Sequence, residues 1–564
     1  MLRPALHRSA SVRALVLAAS TLGCSRERGA SSSSSGVGTI VIAAAADADH
    51  LFPPLVVGTQ GKQVVDLVYD YLADPPENLN TIGDSGFTPR LARRWTWAKD
   101  SLSIAFQLDP RARWHDGRPV TASDVRFTFD LITDPVIASP RAASLANVDS
   151  VSVSDSVTAV LWFKHRAPEQ FFEAVYNLAV VPEHVLGTIP RRDLPTSPVL
   201  RSPVGSGRFR FVRWDAGYRI ELVADTANWR GRPKLDRVIW SITGDPASLV
   251  PGLASGEADF TDLVRGEALK QVSSVPTLRV VSYPSLEYGY LGFNLRDPDH
   301  PNRPHPLFGD RALRRALSMA INRRAMIRNV ADTLGYPALG PLTRAQATAD
   351  TTMPAVPYDP AAASRSLDSL GWRDTDGDGV RDRGGRPLAF EMIVPTSSAV
   401  RMQMSVLLHE QFRHIGADVR IRTFDMSAFY DRAAHGRFDT MLNAWHADPS
   451  PSSIRDAWAT AAAIPSGANF VSYRNAAFDA LVDSAAAEFD PARSRALFRR
   501  AYEKIIDDAP AIWLYELRLT AAAHRRLRIT GMRADAWWAG LPEWSIAPGE
   551  RTPRDALGIR TASR

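Results

Sequence analysis

The sequence predicts an α/β protein that is built from more than one lobe. Its 564 residues exceed what a single hydrophobic core can organise. Segments with the spacing of strands predominate in the first part of the chain, and long segments with the spacing of helices predominate after residue 310. Strands mixed with long helices over such a length are typical of an α/β fold with several lobes.

The predicted strands are short and rich in apolar and β-branched residues. Residues 39–43 suit a buried strand, and residues 102–108 alternate apolar and polar side chains as a half-buried antiparallel strand does. Residues 151–154 and 159–163 extend the β character, whereas residues 63–72 place apolar side chains at helical spacing. Longer segments with helical spacing predict helices over 310–330, 400–415 and 491–507.

A hairpin turn followed at once by a helix start is predicted near residue 120. Asp116 and Gly117 favour a tight turn, because glycine readily takes the positive φ that such a turn requires. Thr121 then predicts a helix cap with Asp124 at the third helical position, a short acidic variant of the capping box. Turn and cap chemistry, not catalysis, accounts for this segment.

The charge of the chain argues against nucleic acid as a partner. The formal net charge is +6, with acidic residues interleaved among the basic ones along the whole length. Such a distribution provides no continuous basic stripe. After the N-terminal segment no stretch approaches 18 consecutive apolar residues, so we expect a water-soluble body.

Residues 1–23 have the layout of a secretory signal peptide. Three arginines, at positions 3, 8 and 13, precede an apolar core. That core spans about nine residues, whereas a membrane-spanning helix needs roughly 20, so cleavage is expected. The chain is therefore predicted to be exported.

Cys24 is the only cysteine in the chain and directly follows this segment. Its position resembles the lipobox of bacterial lipoproteins, in which the cysteine becomes the acylated first residue of the mature chain. Thr21 and Leu22 stand where that pattern has a leucine and a small residue, and the alternative is an ordinary secretory signal with an incidental cysteine. Residues 24–36 are rich in serine and predict a flexible tether.

A series of short motifs runs through the body of the chain. The most extended one covers residues 88–125 and ends in Trp-His-Asp-Gly-Arg-Pro-Val-Thr-Ala-Ser-Asp-Val. The others are found at 203–209, 254–259, 289–294, 311–322, 469–473 and 506–515. In this order they resemble the signature of the family 5 extracellular solute-binding proteins, the dipeptide and oligopeptide receptors of ABC importers.

The resemblance implies an α/β, two-lobed, periplasmic-binding-protein-like fold of type II, in the class with an extra subdomain on lobe I. Residues 37–62, 200–285 and 506–550 would form lobe I, residues 63–199 the extra subdomain, and residues 286–505 lobe II. The chain would then cross between the lobes at two places. Such crossings act as hinges, so a ligand can close the lobes by a domain rotation.

The same resemblance implies a function. It predicts the substrate-binding component of an ABC importer, which captures di- to oligopeptides in an interlobe cleft and delivers them to a permease in the inner membrane. The protein would be a monomer without enzymatic activity or cofactor, exported to the periplasm or cell surface and held by a lipid anchor. The alternatives are a receptor of the same fold for a nickel chelate, haem or sugar, and an exported hydrolase or chaperone-like protein.

The resemblance also implies a ligand site. Asp448 lies in a segment that is similar to the cleft segment of peptide receptors, where an aspartate pairs with the α-ammonium of the peptide. Trp445, three residues earlier, could stack on the ligand, and Asn294 and Tyr290 are further candidates. The alternatives are that Asp448 opens an Asp-Pro turn and that Trp445 belongs to the core.

An acidic loop at residues 374–382 has the spacing that begins an EF-hand. Its oxygen-bearing side chains at loop positions 1, 3, 5 and 9 are Asp374, Asp376, Asp378 and Asp382. Position 12 is Gly385, where an EF-hand has a bidentate glutamate. We expect a metal-free turn, and a structural calcium site is the alternative.

Motifs of hydrolytic enzymes are incomplete in this chain. His409 and His414 are five residues apart, one more than in the zinc motif His-Glu-x-x-His, and on a helix their imidazoles point about 140° apart. The sequence has no Gly-x-Ser-x-Gly motif and no Gly-x-x-x-x-Gly-Lys motif. The sequence therefore favours a binding protein over an enzyme.

Overall fold

The computed structural model describes residues 38–464 and 466–556. The predicted signal peptide, Cys24 and the tether lie outside the described residues. No helix in the described part of the chain combines the length and apolar character that a membrane crossing requires. Strand pairing among these residues forms two large sheets, a four-stranded sheet and three two-stranded sheets.

The strands of the first half are β1 (Thr39–Ala44), β2 (Ala73–Asp74), β3 (Thr88–Pro89), β4 (Ala92–Trp97), β5 (Ser103–Leu108), β6 (Val148–Asp155), β7 (Thr158–Phe163), β8 (Phe209–Asp215), β9 (Arg219–Ala224), β10 (Arg237–Ile242), β11 (Phe260–Thr261) and β12 (Leu278–Tyr283). Those of the second half are β13 (Glu287–Phe293), β14 (Gly335–Tyr336), β15 (Asp382–Arg383), β16 (Arg386–Pro387), β17 (Ala389–Pro395), β18 (Asp418–Phe424), β19 (Thr440–His446), β20 (Ala511–Leu517), β21 (Leu519–His524), β22 (Leu527–Arg528) and β23 (Ser545–Ile546).

The α-helices are α1 (Thr59–Val68), α2 (Ala122–Thr133), α3 (Gln170–Tyr176), α4 (Glu183–Leu186), α5 (Leu249–Ala254), α6 (Glu267–Ser274), α7 (Arg311–Met319), α8 (Arg323–Ala331), α9 (Pro360–Ser369), α10 (Ala399–Arg413), α11 (Met426–Ala434), α12 (Ile454–Trp458), α13 (Ala476–Ala486) and α14 (Pro491–Asp508). The helices predicted over 310–330, 400–415 and 491–507 correspond to α7 with α8, to α10 and to α14.

The first lobe is organised by a seven-stranded sheet in the order β12-β21-β11-β1-β10-β9-β8. The central strand β1 runs parallel to both β10 and β11, whereas the outer pairs are antiparallel. A four-stranded antiparallel sheet, β4-β5-β7-β6, forms the extra subdomain. Its hydrophobic core is continuous with that of the first lobe, so the two pack as one body.

The second lobe is organised by a six-stranded sheet in the order β14-β20-β13-β19-β17-β18. One of its hydrophobic cores contains helices α7, α8 and α10, and another contains α13 and α14. Strand β13 contributes residues to both cores, because successive side chains of a strand point to opposite faces.

The chain passes between the two large sheets at two places. The first lies between β12 and β13, at residues 284–286, and the second is Arg518, between β20 and β21. The Arg518 side chain donates to the hydroxyl of Ser282 at 3.0 Å and to its carbonyl at 2.9 Å. The second crossing is therefore hydrogen-bonded to β12, two residues before the first crossing begins.

Two predicted domain boundaries need correction. The return to the first lobe was expected at residues 505/506, but β20 pairs with β13 in the second sheet, so the return falls at Arg518. The boundary predicted at residues 62/63 falls inside α1, which contacts β8 of the first sheet and therefore belongs to the first lobe. The sequence of each element does not indicate the lobe to which the element belongs. That assignment depends on the sheet against which the element packs.

The predicted turn and cap near residue 120 are present. Gly117 has a φ of 91°, and its N–H donates to the carbonyl of Trp114 at 2.8 Å. The N–H of Thr121 donates to the carboxylate of Asp124 at 2.8 Å, which forms the capping box of α2. Burial raises the pKa of Asp124 although these donors favour its ionised form.

Candidate functional site

A cavity of about 400 Å³ lies between the extra subdomain and the second lobe. One wall consists of residues 143–147 and α3, and the opposite wall consists of residues 448–450, just after β19. The side chains that define its chemistry are those of His165, Glu169, Phe172, Glu173, Tyr176, Asn177, Asp448 and Ser450. No lysine or arginine is among the described residues that line it, so the cavity favours a cationic group.

Asp448 reaches this cavity because the chain turns away from the sheet after β19. The N–H of Ala447 donates to the carbonyl of Leu286 at 2.7 Å, which holds the turn against the first crossing. The Gln346 side chain donates to the carbonyl of Asp448 at 2.9 Å. Asp448 itself is exposed. Its carboxylate is therefore positioned to receive a cationic donor from a ligand.

A hydrogen bond crosses the cavity from one wall to the other. The hydroxyl of Ser450 donates to a carboxylate oxygen of Glu169 at 2.7 Å, and the hydroxyl of Thr81 donates to the other oxygen. Glu169 belongs to the extra subdomain and is buried, whereas Ser450 belongs to the second lobe. Because this hydrogen bond joins the second lobe to the extra subdomain, its length depends on the relative position of the two.

Glu173 lies one helical turn from Glu169 and faces the same cavity. Burial, with a contribution from the neighbouring Glu169 carboxylate, raises the pKa of Glu173 to about 7. One of its carboxylate oxygens is buried and has no hydrogen-bond partner in the described structure. Phe172 and Tyr176 stack beside it with ring centroids 4.6 Å apart. Acidic and aromatic groups are thus placed side by side.

The raised pKa of Glu173 predicts a pH-dependent stability. The folded chain holds the proton up to about pH 7, whereas the unfolded chain releases it near the ordinary value of 4.5, so stability falls as the pH rises between these values. We expect Glu173→Gln to remove this fall, on the order of 3 kcal/mol. Urea unfolding of the parent and the variant from pH 4.5 to 8 measures it. Glu267→Gln, at an exposed helix position, is the control. The same change of unfolding free energy with pH in the parent and in Glu173→Gln would contradict the prediction.

Of the predicted ligand residues, the structure places only Asp448 at this cavity. Tyr290 is 3% exposed and packs edge-on against Trp458, with ring centroids 5.3 Å apart. Trp445 is half-buried and packs against the same aromatic core. Asn294 is 1% exposed, and its amide donates to the carbonyls of Gly436 and Phe438, both at 2.9 Å. These three side chains are engaged within the second lobe.

Sequence reasoning missed the opposite wall of the cavity. Glu169, Glu173 and Tyr176 come from α3 and the residue before it, far from Asp448 in the chain. The only available signal was two glutamates four residues apart beside aromatic residues. On a helix that spacing places both carboxylates on one face. The spacing does not indicate which residues that face of the helix contacts.

The acidic loop predicted as a turn is exposed, and three of its carboxylates lie close together. Ligand atoms of Asp374, Asp376 and Asp378 are within 4.8 Å of one another, an arrangement that could hold a cation. Asp374 accepts from the N–H groups of Gly377 and Gly379 at 2.7 and 3.0 Å. The fourth predicted ligand, Asp382, instead accepts from the backbone and hydroxyl of Thr375.

Two lobes, two crossings and a cavity lined by both lobes define a binding protein of the periplasmic type. The chain belongs to the bacterial extracellular solute-binding proteins, family 5, since the model of that family's middle region matches residues 86–466. This confirms the family and the two-lobed α/β fold that the sequence motifs predicted.

The chain is similar to named proteins over most of its length. The oligopeptide-binding protein AppA of Bacillus subtilis is 27% identical over 457 residues, 80% of this chain and 81% of the relative. A putative ABC transporter peptide-binding protein of Brucella ovis is 29% identical over 443 residues, 77% of each chain. Among solved structures, CtaP of Listeria monocytogenes aligns with a TM-score of 0.77 at 21% identity, over 91% of this chain and 99% of CtaP.

Proposed function

We propose that this protein is the substrate-binding component of an ABC importer and captures peptides between its lobes. The observation that carries the proposal is the cavity that both lobes line, with the free carboxylate of Asp448 on one wall. A peptide offers an α-ammonium to such a carboxylate, and a charge-assisted hydrogen bond is strengthened when water is excluded from around it. The relatives named for peptide binding support the same class of ligand.

Closure of the lobes would link capture to delivery. Residues 284–286 and Arg518 are the two connections between the large sheets, so rotation about them would change the width of the cavity. The bond between Ser450 and Glu169 would form or break with that rotation. A membrane permease could then distinguish the loaded protein from the empty one by its shape.

The location and partners follow from this role. We propose export, cleavage after residue 23 and acylation of Cys24, with residues 24–36 as the tether to the membrane. Tethering beside a permease raises the effective concentration of the captured ligand there. The protein would act as a monomer. It would require neither catalytic residues nor a cofactor, because capture and release need only a cleft that closes.

The proposal is tested by identifying what the protein binds. We expect mass spectrometry of the protein, purified under non-denaturing conditions, to find copurifying peptides of two to five residues. After removal of bound ligand, di- to pentapeptides should raise the melting temperature by several degrees, since a ligand that binds only the folded state stabilises it. A nickel chelate, haem and sugars serve as controls. A shift with one of these alone, or with no compound, would overturn the proposal.

A further inference from the structure

A second cavity, of about 500 Å³, lies within the first lobe. It is lined by α1, by residues 71–90, by the end of α3, by Arg208 and Arg230, and by the C-terminal residues 531–543. None of the described residues that line it belongs to the second lobe. Its walls therefore do not depend on the closure of the lobes, and its volume is within the range of small-molecule sites.

Much of the surface of this cavity is apolar or aromatic. Tyr71, Tyr176 and Trp538 supply rings, and Leu67 and Val175 supply aliphatic side chains. Tyr176 also lines the cleft cavity, so this residue lies between the two cavities. A ligand with an apolar or aromatic body would find a matching surface here.

Several charged groups of the cavity already have partners within the protein. Lys62 binds both carboxylate oxygens of Asp66 at 3.0 Å, and Asp66 also accepts from Tyr71 at 2.6 Å and from Trp538 at 2.9 Å. Although burial raises the pKa of Asp66, Lys62 and these donors hold it below its usual range. This group has little capacity left for a ligand.

Three of the four remaining acidic side chains that line the cavity are likewise paired with an arginine. Arg533 binds Asp535 through two bonds of 3.0 Å, and Arg208 binds Glu543 at 2.6 Å. Asp74 is bound by Arg90 at 3.0 Å. Glu77 is exposed at the edge of the cavity.

Arg230 differs from these groups because its guanidinium is only partly satisfied. Its one hydrogen-bonded carboxylate, that of Asp70, is shared with Arg90. The buried Nε of Arg230 has no partner in the described structure. Burial lowers the pKa of Arg230 despite the nearby Asp70, as expected for a cation that is incompletely compensated. Arg230 lines the cavity and its side chain is 21% exposed, so a carboxylate there would pair with the accessible part of the guanidinium, which presents several N–H groups in a planar fork.

We propose that this cavity binds a carboxylate carried on an apolar or aromatic body, and that Arg230 receives the carboxylate. Such a group has two sources. It is either a free organic acid, or the C-terminal residue of a peptide that extends past Tyr176 from the cleft; the second source rests on the proposed function. In both cases Arg230 makes the protein bind a free carboxylate more tightly than the corresponding amide.

The test compares acids with their amides by isothermal titration calorimetry. The probes are N-acetyl-L-phenylalanine and its amide, and the tetrapeptide Ala-Ala-Ala-Phe and its amide. We expect the parent protein to bind at least one acid roughly tenfold more tightly than the matching amide. Arg230→Gln should remove this preference. Arg420→Gln, at an exposed position on β18 in the second lobe, should retain it.

The outcomes distinguish a free organic acid from a peptide C-terminus, and they test this inference separately from the proposed function. A preference shown with N-acetyl-L-phenylalanine identifies a free acid, and a preference shown only with the tetrapeptide identifies a peptide terminus. Equal binding of acid and amide by the parent, or an unchanged preference in Arg230→Gln, overturns the inference. If Arg230→Gln does not fold, Arg230→Lys, which lacks the fork, must weaken the preference. Binding of the capped amino acid without binding of any peptide would contradict the proposed function and leave this inference standing.

Discussion

Replacing Asp448 by asparagine is expected to weaken peptide binding by roughly 30-fold or more. Asparagine has nearly the same shape but cannot compensate the α-ammonium of a peptide. Loss of one partner of a desolvated charge pair typically costs about 2–5 kcal/mol, much of which is the cost of leaving the other charge unpaired. Titration calorimetry of both proteins with one peptide measures the effect.

The reason for the loss can be isolated with an N-acetylated peptide, which lacks the α-ammonium. The parent should lose affinity when the peptide is acetylated, whereas Asp448→Asn should bind both forms about equally. Asp299→Asn changes an exposed aspartate elsewhere in the same lobe and serves as the matched control. If acetylation weakens binding equally in parent and Asp448→Asn, the ammonium is held by another group and the site assignment fails.

The second large effect is expected at Arg526, in a buried ion cluster of the first lobe. Its side chain is 2% exposed and donates to Asp259 at 2.7 Å, to Asp555 at 2.6 Å and to the carbonyl of Thr39 at 2.9 Å. Asp555 also accepts from the N–H of Thr39 at 2.8 Å. The cluster therefore links the C-terminal segment to β1.

We expect Arg526→Met to lower the free energy of unfolding by about 3–5 kcal/mol, because it leaves the buried carboxylate of Asp555 without its cation and that of Asp259 with Arg554 alone. Urea unfolding followed by tryptophan fluorescence measures this, with Arg525→Met, at the exposed neighbouring position, as the control. A loss no larger than in the control would show that the cluster contributes little net stability.

The same substitution has a predictable pH dependence. Burial opposes ionisation of Asp555, but the N–H groups of Thr552 and Thr39 and the charge of Arg526 hold its pKa below the usual value of 3.8. A lowered carboxyl pKa contributes stability that is present above the usual value and is lost as the pH falls through the folded value. The difference in the free energy of unfolding between the parent and Arg526→Met should therefore become smaller as the pH falls below 3.8.

Features that depend on residues a few positions apart were predictable from the sequence. The turn at Asp116 and Gly117 and the capping box of Thr121 and Asp124 form from neighbours within one turn of chain. Their physical causes, the positive φ of glycine and the unpaired N–H groups at a helix start, act locally. The position of Asp448 just after a strand was predictable for the same reason.

The surroundings of the site were not predictable in this way. Tyr290 and Asn294 lie in or just after an apolar strand, and nothing in their spacing shows that one packs in an aromatic core and the other binds two carbonyls. Glu169 meets Ser450 across 281 positions of sequence. Arg230 and Arg90 likewise meet Asp70 from distant segments.

The sequence by itself therefore determined the family, the α/β class, the turn and helix start near residue 120, and the positions of helices α10 and α14. These follow from the spacing of apolar residues and from motifs that are contiguous in the chain. Only the tertiary structure decided where the chain returns to the first lobe, which side chains face Asp448, and which arginine is left partly unsatisfied in the first-lobe cavity. Those outcomes depend on which distant surfaces pack together, because burial and charge pairing are properties of the folded chain.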